Sequence, residues 1–320
     1  MSAGTVPDSE FIELFRHHQS PTIVAKVLGI AVRNVCDRRN RLEVKYQIKL
    51  PTLDRSLRDK HHSPESHPVA SLKIQDGQII VFSDAHFWPG IRTTAYKGLL
   101  HFVKKLRPSV IVCNGDAFDG ASISRFPRIG WDQTPSVIQE LNACKAALGE
   151  IEEVSGRARL IWPLGNHDAR FETRLANQAS EFEGVTGFHL KDHLPAWTPC
   201  WRLDVNDDVV IKHRFKGGIH ATRNNTLNTG RTTVTGHLHQ LKVTPLADYN
   251  GNRYGVDTGT LAEPMGPQFE NYLEAGVPDW RSGFVVLTFK DSRLLMPQLV
   301  QKWDEGAVEF AGQVIDVSGE

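Results

Sequence analysis

The chain of 320 residues contains no apolar run that approaches the ~20 residues a membrane-spanning helix needs. Its first residues, Met1 to Glu10, are acidic and polar with no apolar core segment, which argues against a secretory signal. Cysteine is scarce, and Cys36, Cys113, Cys144 and Cys200 lie far apart with no CxxC pair, so a disulfide framework is not expected. Cys113 sits inside an apolar run and reads as a small buried hydrophobe. No internal repeat is present. Net charge is absent too, since 37 Lys and Arg balance 37 Asp and Glu. These absences predict a soluble, cytoplasmic protein in a reducing compartment with no membrane partner.

The neutral total hides an asymmetry. From Phe11 to His62 there are eleven Lys/Arg against five Asp/Glu, so the remainder of the chain is acidic by the same margin. A basic module on an acidic body suits a polyanionic partner. Phe11, Leu14 and Phe15 fall on one helical face, and Ser20-Pro21-Thr22 supplies a stop and a new start. Helices are then expected at Thr22–Leu28 and Ala31–Leu42. Ala25 is small where two helices cross, Gly29 permits the tight turn, and Val35 is apolar, a pattern similar to a helix-turn-helix. Its last helix would present Arg33, Asn34, Arg38, Arg39 and Arg41 to the bases and phosphates of a nucleic acid. The plainer alternative is a three-helix arm that packs on the main domain or on a partner. Val44–Leu50 alternates weakly and is expected as a short wing strand. Pro51–Ala70 is polar and rich in proline, and its His61, His62 and His67 read as part of a linker rather than a metal tract. The expected organisation is a helix-turn-helix-like domain at 1–50, a linker at 51–70 and a main domain at 71–320.

From Ser71 onward strands alternate with helical patterns. Strands at Gln78–Phe82, Ser109–Cys113 and Arg159–Pro163 precede helices near Thr93–Lys105, Pro135–Val154 and Ala169–Ala179, an order that implies parallel strands. After Trp201 the strands shorten and helices become few. Arg202–Val205, Val209–Lys212, Arg231–Thr235, Leu241–Asp248, Arg253–Asp257, Gly283–Phe289 and Leu295–Gln301 are expected to form a second, more antiparallel sheet. The predicted fold is α/β, a four-layer α/β/β/α sandwich preceded by a small all-α domain.

Five polar segments each follow an apolar run: Asp84-Ala85-His86, Gly115-Asp116-Ala117-Phe118-Asp119, Gly165-Asn166-His167-Asp168, His213, and Gly236-His237-Leu238-His239. In an open α/β sheet, ligands bind outside the carboxyl ends of the strands, so these segments converge. Asp, Asn and His without thiolate suit borderline divalent cations. Two cations about 3.5–4 Å apart share an anionic ligand and turn a bridging water into a hydroxide nucleophile near neutral pH. Asp119 and Asp168 read as orienting groups or helix caps, and His101 and His189 as surface or core filling.

The succession D-x-H, G-D-x-x-D, G-N-H-D, an isolated His and G-H-x-H, from about Gln78 to Gly259, resembles the calcineurin-like metallophosphoesterase superfamily. The resemblance implies two divalent metal ions, manganese first, with iron, zinc or nickel as alternatives. It implies Asp84, His86 and His239 around one ion, Asn166, His213 and His237 around the other, and Asp116 between them. His167 would face the scissile phosphate and stabilise or protonate the leaving oxygen. Two departures stand out. Lys212-His213-Arg214 replaces the usual His-Gly, so His220 competes with His213, which is preferred because it closely follows an apolar run. Gly120 stands where many members carry Arg, leaving Arg170, Arg214 and Arg223 as substitutes near in sequence. The basic N-terminal module favours a nuclease or phosphodiesterase on DNA or RNA, a pairing that resembles bacteriophage proteins and the nuclease branch. The alternatives are a phosphomonoesterase on a protein or small molecule, and a DNA-binding regulator with a structural metal centre.

Overall fold

The stripe of Phe11, Leu14 and Phe15 becomes the inner side of helix α1 (Asp8–His18) in the computed structural model, which describes residues 6–52, 69–126, 134–249, 251–273 and 276–320. The chain divides into two units, at residues 1–66 and 67–320. In the first, α1 is followed by α2 (Pro21–Leu28) and α3 (Val32–Tyr46). The Ser20 side chain caps α2 by accepting from the Ile23 N–H, and Pro21, which lacks an N–H, starts it. Gly29 ends α2 at φ 63°, the left-handed conformation a glycine adopts without steric cost. Phe11, Phe15, Val24, Ala25, Val35, Leu42 and Leu50 fill the core between the helices.

The expected wing strand at Val44–Leu50 does not form. Helix α3 continues to Tyr46 because its last turn is held by α1: the Lys45 Nζ and Tyr46 hydroxyl reach Asp8 Oδ2 at 2.9 and 3.3 Å. The chain then folds Leu50 into the core, its N–H donating to Glu43 Oε1. Residues 53–68, with His61, His62 and His67, lie outside the described residues. Val69 and Ala70, expected at the end of the linker, already belong to strand β1 (Val69–Leu72).

In the second unit β2 (Gly77–Phe82), β3 (Val110–Cys113), β4 (Arg159–Pro163) and β5 (Thr198–Cys200) run parallel and side by side. Helices α4 (Thr94–Leu106), α5 (Val137–Val154) and α6 (Asp168–Gln178) connect them in turn. Because side chains alternate along a strand, Ile80, Phe82, Ile111, Cys113 and Trp162 face α4 and α5. Their neighbours Ile79, Val81, Val110, Val112 and Ile161 face the other way. That inner face meets a second sheet of β1, β6 (Arg202–Val205), β7 (Val209–Ile211), β8 (Thr232–Thr235), β10 (Gly251–Asp257) and β9 (Lys242–Asp248), in that spatial order. The two sheets enclose a core that includes Leu203, Val209, Ile211, Val234 and Val256. The unit is therefore a mixed α/β fold with two facing sheets. Among the described residues no helix is long and apolar enough to cross a membrane.

The second sheet is more parallel than expected, since β7–β8, β8–β10 and β1–β6 are parallel pairs. The late strands also go elsewhere. β11 (Gly283–Lys290) pairs antiparallel with β2 and widens the first sheet. β12 (Arg293–Leu294), β13 (Gln298–Asp304), β14 (Ala307–Phe310) and β15 (Gln313–Asp316) continue it. Helix α7 (Ala221–Thr229) covers β8 and β10 and went unanticipated because it lacks a large apolar face. Its buried residues are Ala221, Thr222, Asn225 and Thr226. They are satisfied by hydrogen bonds: Thr222 to Thr244 at 2.7 Å, Thr226 to the Tyr254 carbonyl at 3.2 Å, and Asn225 to both backbone groups of Lys216.

Candidate metal centre

Three neighbouring strand ends of the first sheet and two of the second each pass ligand-type residues to the loop after them. β2 leads to Asp84 and His86, β3 to Asp116, β4 to Asn166 and His167, β7 to His213, and β8 to His237 and His239. Backbone bonds tie the loops together beyond the strands: Asp84 N–H to Gly115 O at 2.9 Å, His86 N–H to Asp116 O at 3.0 Å, and Gly236 N–H to His213 O at 2.9 Å. As a result three overlapping groups form, Asp84–His86–His239, His86–Asp116–His167 and Asp116–His213–His237, each with ligand atoms within 4.8 Å of one another. Asp116 is shared by two of them. Asn166 lies between Gly165 and His167, both of which touch Asp116. His213 Nε2 stands 3.0 Å from Asp116 Oδ2, whereas His220 is exposed at the start of α7.

The backbone is strained where these residues sit. Asp84, His86, Asp116, His237 and His239 have φ of 52°, 39°, 54°, 73° and 58°. Non-glycine residues in this region cost energy that the surrounding structure must offset, and such positions cluster at functional sites. The glycines of the motifs serve a different need, close approach. A Cβ on Gly165 would lie 1.9 Å from Asp116 Oδ1, and one on Gly236 would lie 2.6 Å from Asp84 Oδ2. No side chain fits where the loops carry the carboxylates past each other.

Carboxylates and carbonyls behind the rings orient them. Asp119 Oδ1 lies 2.7 Å from His86 Nδ1 and 2.9 Å from His167 Nδ1, while His213 Nδ1 lies 2.8 Å from the Asn114 carbonyl. With Nδ1–H donating, Nε2 of each ring turns toward the cluster, the usual arrangement of a metal-binding imidazole. Asp168 anchors the loops. It accepts from the N–H groups of Asp116, Ala117, Phe118 and Gly165 at 2.8–3.0 Å and from the Trp162 indole at 3.1 Å. Asp119 and Asp168 thus orient other groups, as their placement in the sequence suggests.

The electrostatics are those of a cation site. Burial would raise the carboxyl pKa of Asp84, but His239 and His213 outweigh it and hold it down to about 2. Burial likewise works against Asp116 and Asp119, and neighbouring histidines keep both below the usual carboxylate range. Burial would lower His213, yet Asp116 and Asp84 push it up to about 10. Burial, with His213 next to it, brings His237 down to about 4. His167 is raised despite burial, by Asp116 and Asp119. Nε2 of His86, Nδ1 of His239 and Oδ1 of Asn166 are buried without a hydrogen-bond partner. Unpartnered buried lone pairs beside ionised carboxylates cost stability on their own and fit divalent cations with nitrogen and oxygen donors.

Several contributing residues carry no motif. Thr260 donates to the Asp84 carbonyl at 2.6 Å, Ser83 donates to Asp84 Oδ2, and the Ser83 and Thr258 hydroxyls are 2.6 Å apart. Asp257 accepts from the Gln240 and Gly259 N–H groups and so holds the loop after His239. The signal available was a sixth polar segment, Asp257-Thr258-Gly259-Thr260, closing β10. Phe269 packs tilted and Trp280 edge-on against His239 at ring distances of 5.6 and 4.5 Å, and both come from sequence with no such signal.

Of the three substitute arginines, Arg170 reaches the site: its guanidinium lies 3.0 Å from His167 Nε2 and 2.9 Å from the Asp119 carbonyl. Arg214 lines a cleft of about 580 Å³ that opens beside Asn166 and His213, and Arg223 is exposed on α7. In the N-terminal unit, Arg33, Asn34 and Arg41 are exposed on α3. Arg38 and Arg39 are not presented as expected. Arg38 bonds Asp8 and the Val6 carbonyl and covers the Phe11 ring, and Arg39 lies over Phe15 beside Glu43. Their long apolar stems serve the packing of the three helices.

A family model described as calcineurin-like phosphoesterase matches residues 77–254, more than half of the chain. Comparison with curated proteins gives no match. Among solved structures, Vps29 complexed with Zn²⁺ from Entamoeba histolytica is 14% identical, with a TM-score of 0.40 over 75% of this chain and 99% of that one. YfcE, a phosphoesterase from E. coli, is 14% identical, with a TM-score of 0.30 over 69% and 97%. A protein serine/threonine phosphatase from Saccharomyces cerevisiae with similarity to human phosphatase PP5 is 11% identical, with a TM-score of 0.39 over 96% and 94%.

Proposed function

Since this chain belongs to the calcineurin-like phosphoesterase family, we propose that it is a divalent-metal-dependent phosphodiesterase acting on nucleic acid. The observation that carries the hydrolytic part is the sharing of Asp116 between two ligand groups, with His167 at its side. Asp84, His86 and His239 would hold one ion, Asn166, His213 and His237 the other, and Asp116 would serve both. The mixed nitrogen and oxygen donors suit manganese, with iron, zinc or nickel as alternatives. When bound, such a pair polarises phosphoryl oxygens and activates water. The nucleic-acid part is supported by the N-terminal unit, whose helix–glycine turn–helix exposes Arg33, Asn34 and Arg41 on α3.

His167 is the proton donor in this reading. Asp119 fixes its Nδ1, leaving Nε2 beside Arg170 and 3.9 Å from Asp116 Oδ2. Asp116 and Asp119 raise its pKa against burial and Arg170, which favours the protonated ring, and Arg170 adds a positive charge for the phosphate. His167→Ala is expected to slow cleavage of an alkoxide-leaving diester by about a hundredfold to ten-thousandfold. The same change should hardly affect bis(p-nitrophenyl) phosphate, whose phenolate leaves without a proton, and metal content should stay at the wild-type value. Equal loss on both esters would remove His167 from the proton-donor role.

The reading as a whole is tested by loading the full chain with Mn²⁺ and offering DNA, RNA, bis(p-nitrophenyl) phosphate and p-nitrophenyl phosphate. Polynucleotide cleavage is the expected result. Fast hydrolysis of the monoester with every polynucleotide left intact would replace it with a phosphomonoesterase.

A further inference from the structure

The cleft beside Asn166 and His213 has a one-sided charge. Arg125, Arg170, Arg174, Lys212 and Arg214 line it, and none of the described residues lining it is Asp or Glu. This occurs in a chain whose acidic and basic residues are equal in number. The cations arrive from three separate stretches: the segment after β3, helix α6 and the loop after β7. On α6 the cleft takes Arg170, Thr173, Arg174 and Asn177, whose spacing of three and four residues puts them on one helical face. Gathering five cations is unfavourable without a compensating anion.

Two large rings accompany the charges. Phe126 is 64% exposed and Trp201 47% exposed, and both line the same cleft. The Arg125 guanidinium lies 5.0 Å from the Phe126 ring centre. A positive groove with aromatic faces along it is how proteins hold single strands, because unpaired bases stack on the rings while cations follow the backbone. A duplex hides its base faces, and a phosphopeptide offers one phosphate and no run of rings.

We infer that this cleft seats a single-stranded polynucleotide, its backbone along α6 and its bases against Phe126 and Trp201, so that one phosphodiester reaches the Asp116 centre. The inference rests on the nucleic-acid reading above and adds to it the strand state and the path. It also places strand binding on the second unit itself, independent of Arg33 and Arg41.

The test measures binding of the metal-free full chain, in EDTA, to a fluorescein-labelled twelve-nucleotide oligothymidylate by anisotropy, so turnover plays no part. Arg125→Ala and Arg174→Ala, both exposed and outside the ligand cluster, should each weaken binding several-fold and lower the salt slope by about 0.7. Trp201→Ala should weaken it by about fivefold to a hundredfold, the range for one lost stacking partner. Lys290→Ala, which removes an exposed cation outside the cleft, should leave it unchanged. Wild-type affinity in the three cleft variants, or an equal loss in Lys290→Ala, overturns the inference. So does a duplex whose affinity falls as much as the single strand's in Arg125→Ala and Arg174→Ala, or a phosphopeptide that displaces the oligonucleotide at equal concentration. Hydrolysis of bis(p-nitrophenyl) phosphate by the Mn²⁺-loaded wild type separates the two ideas. Its failure removes the phosphoesterase reading, whereas unchanged oligonucleotide binding in the variants removes only the cleft.

Discussion

Asp116→Asn is expected to leave the protein folded, unable to hold a pair of metal ions and without measurable hydrolysis. The substitution keeps the side-chain volume and an oxygen for the His167 N–H, which Asp116 Oδ1 accepts at 2.8 Å. It removes the negative charge that faces His213 Nε2 at 3.0 Å and that two ligand groups share. Loss of an outer hydrogen-bond partner typically costs a metal site about tenfold to a hundredfold in affinity, and loss of a shared anionic ligand should exceed that. Metal content of dialysed protein should fall below two equivalents of Mn²⁺, and kcat/KM on any ester the wild type cleaves should fall at least about a thousandfold. Two retained equivalents with wild-type turnover would show that the ligands are wrongly assigned.

Asp168→Asn should have the largest effect on stability. Its carboxylate is buried and accepts four backbone N–H groups from two loops, together with the Trp162 indole N–H. An amide offers one oxygen, and its NH₂ would be turned toward donors. Breaking such a buried network costs about 3–5 kcal/mol. For a unit of this size that lowers the melting temperature by about 10 °C, read in metal-free protein so that ligand binding does not mask the change. Because the Trp162 indole N–H loses its acceptor, tryptophan emission should shift as well. A melting temperature within about 2 °C of the wild type would mean that the loops are held by something else.

The candidate ligand residues were legible in the sequence for a physical reason. A parallel strand buried on both faces is an uninterrupted apolar run, and its carboxyl end is where a polar residue can meet others. Asp84, Asp116, Asn166 and His213 each follow such a run, and the structure brings them together. Their supports were harder to read. Thr260 acts through a hydrogen bond that spans 176 residues of sequence and Asp257 through two backbone N–H groups, and Trp280 touches His239 because β11 returns to β2. Helix α7 was hidden because threonine and asparagine side chains, not large apolar ones, form its buried face. The wing strand failed because Val44–Tyr46 is recruited by Asp8, a contact outside any local window.

By itself, then, the sequence determined which residues could bind cations and that alternating strands and helices would carry them, because both follow from local apolar pattern and residue chemistry. Only the tertiary structure decided the rest. It placed His213, not His220, beside Asp116, turned the rings through Asp119 and the Asn114 carbonyl, withdrew Arg38 and Arg39 into packing, and assembled five cations from three stretches into one cleft. Those outcomes depend on contacts between residues far apart in the chain, which no local pattern encodes.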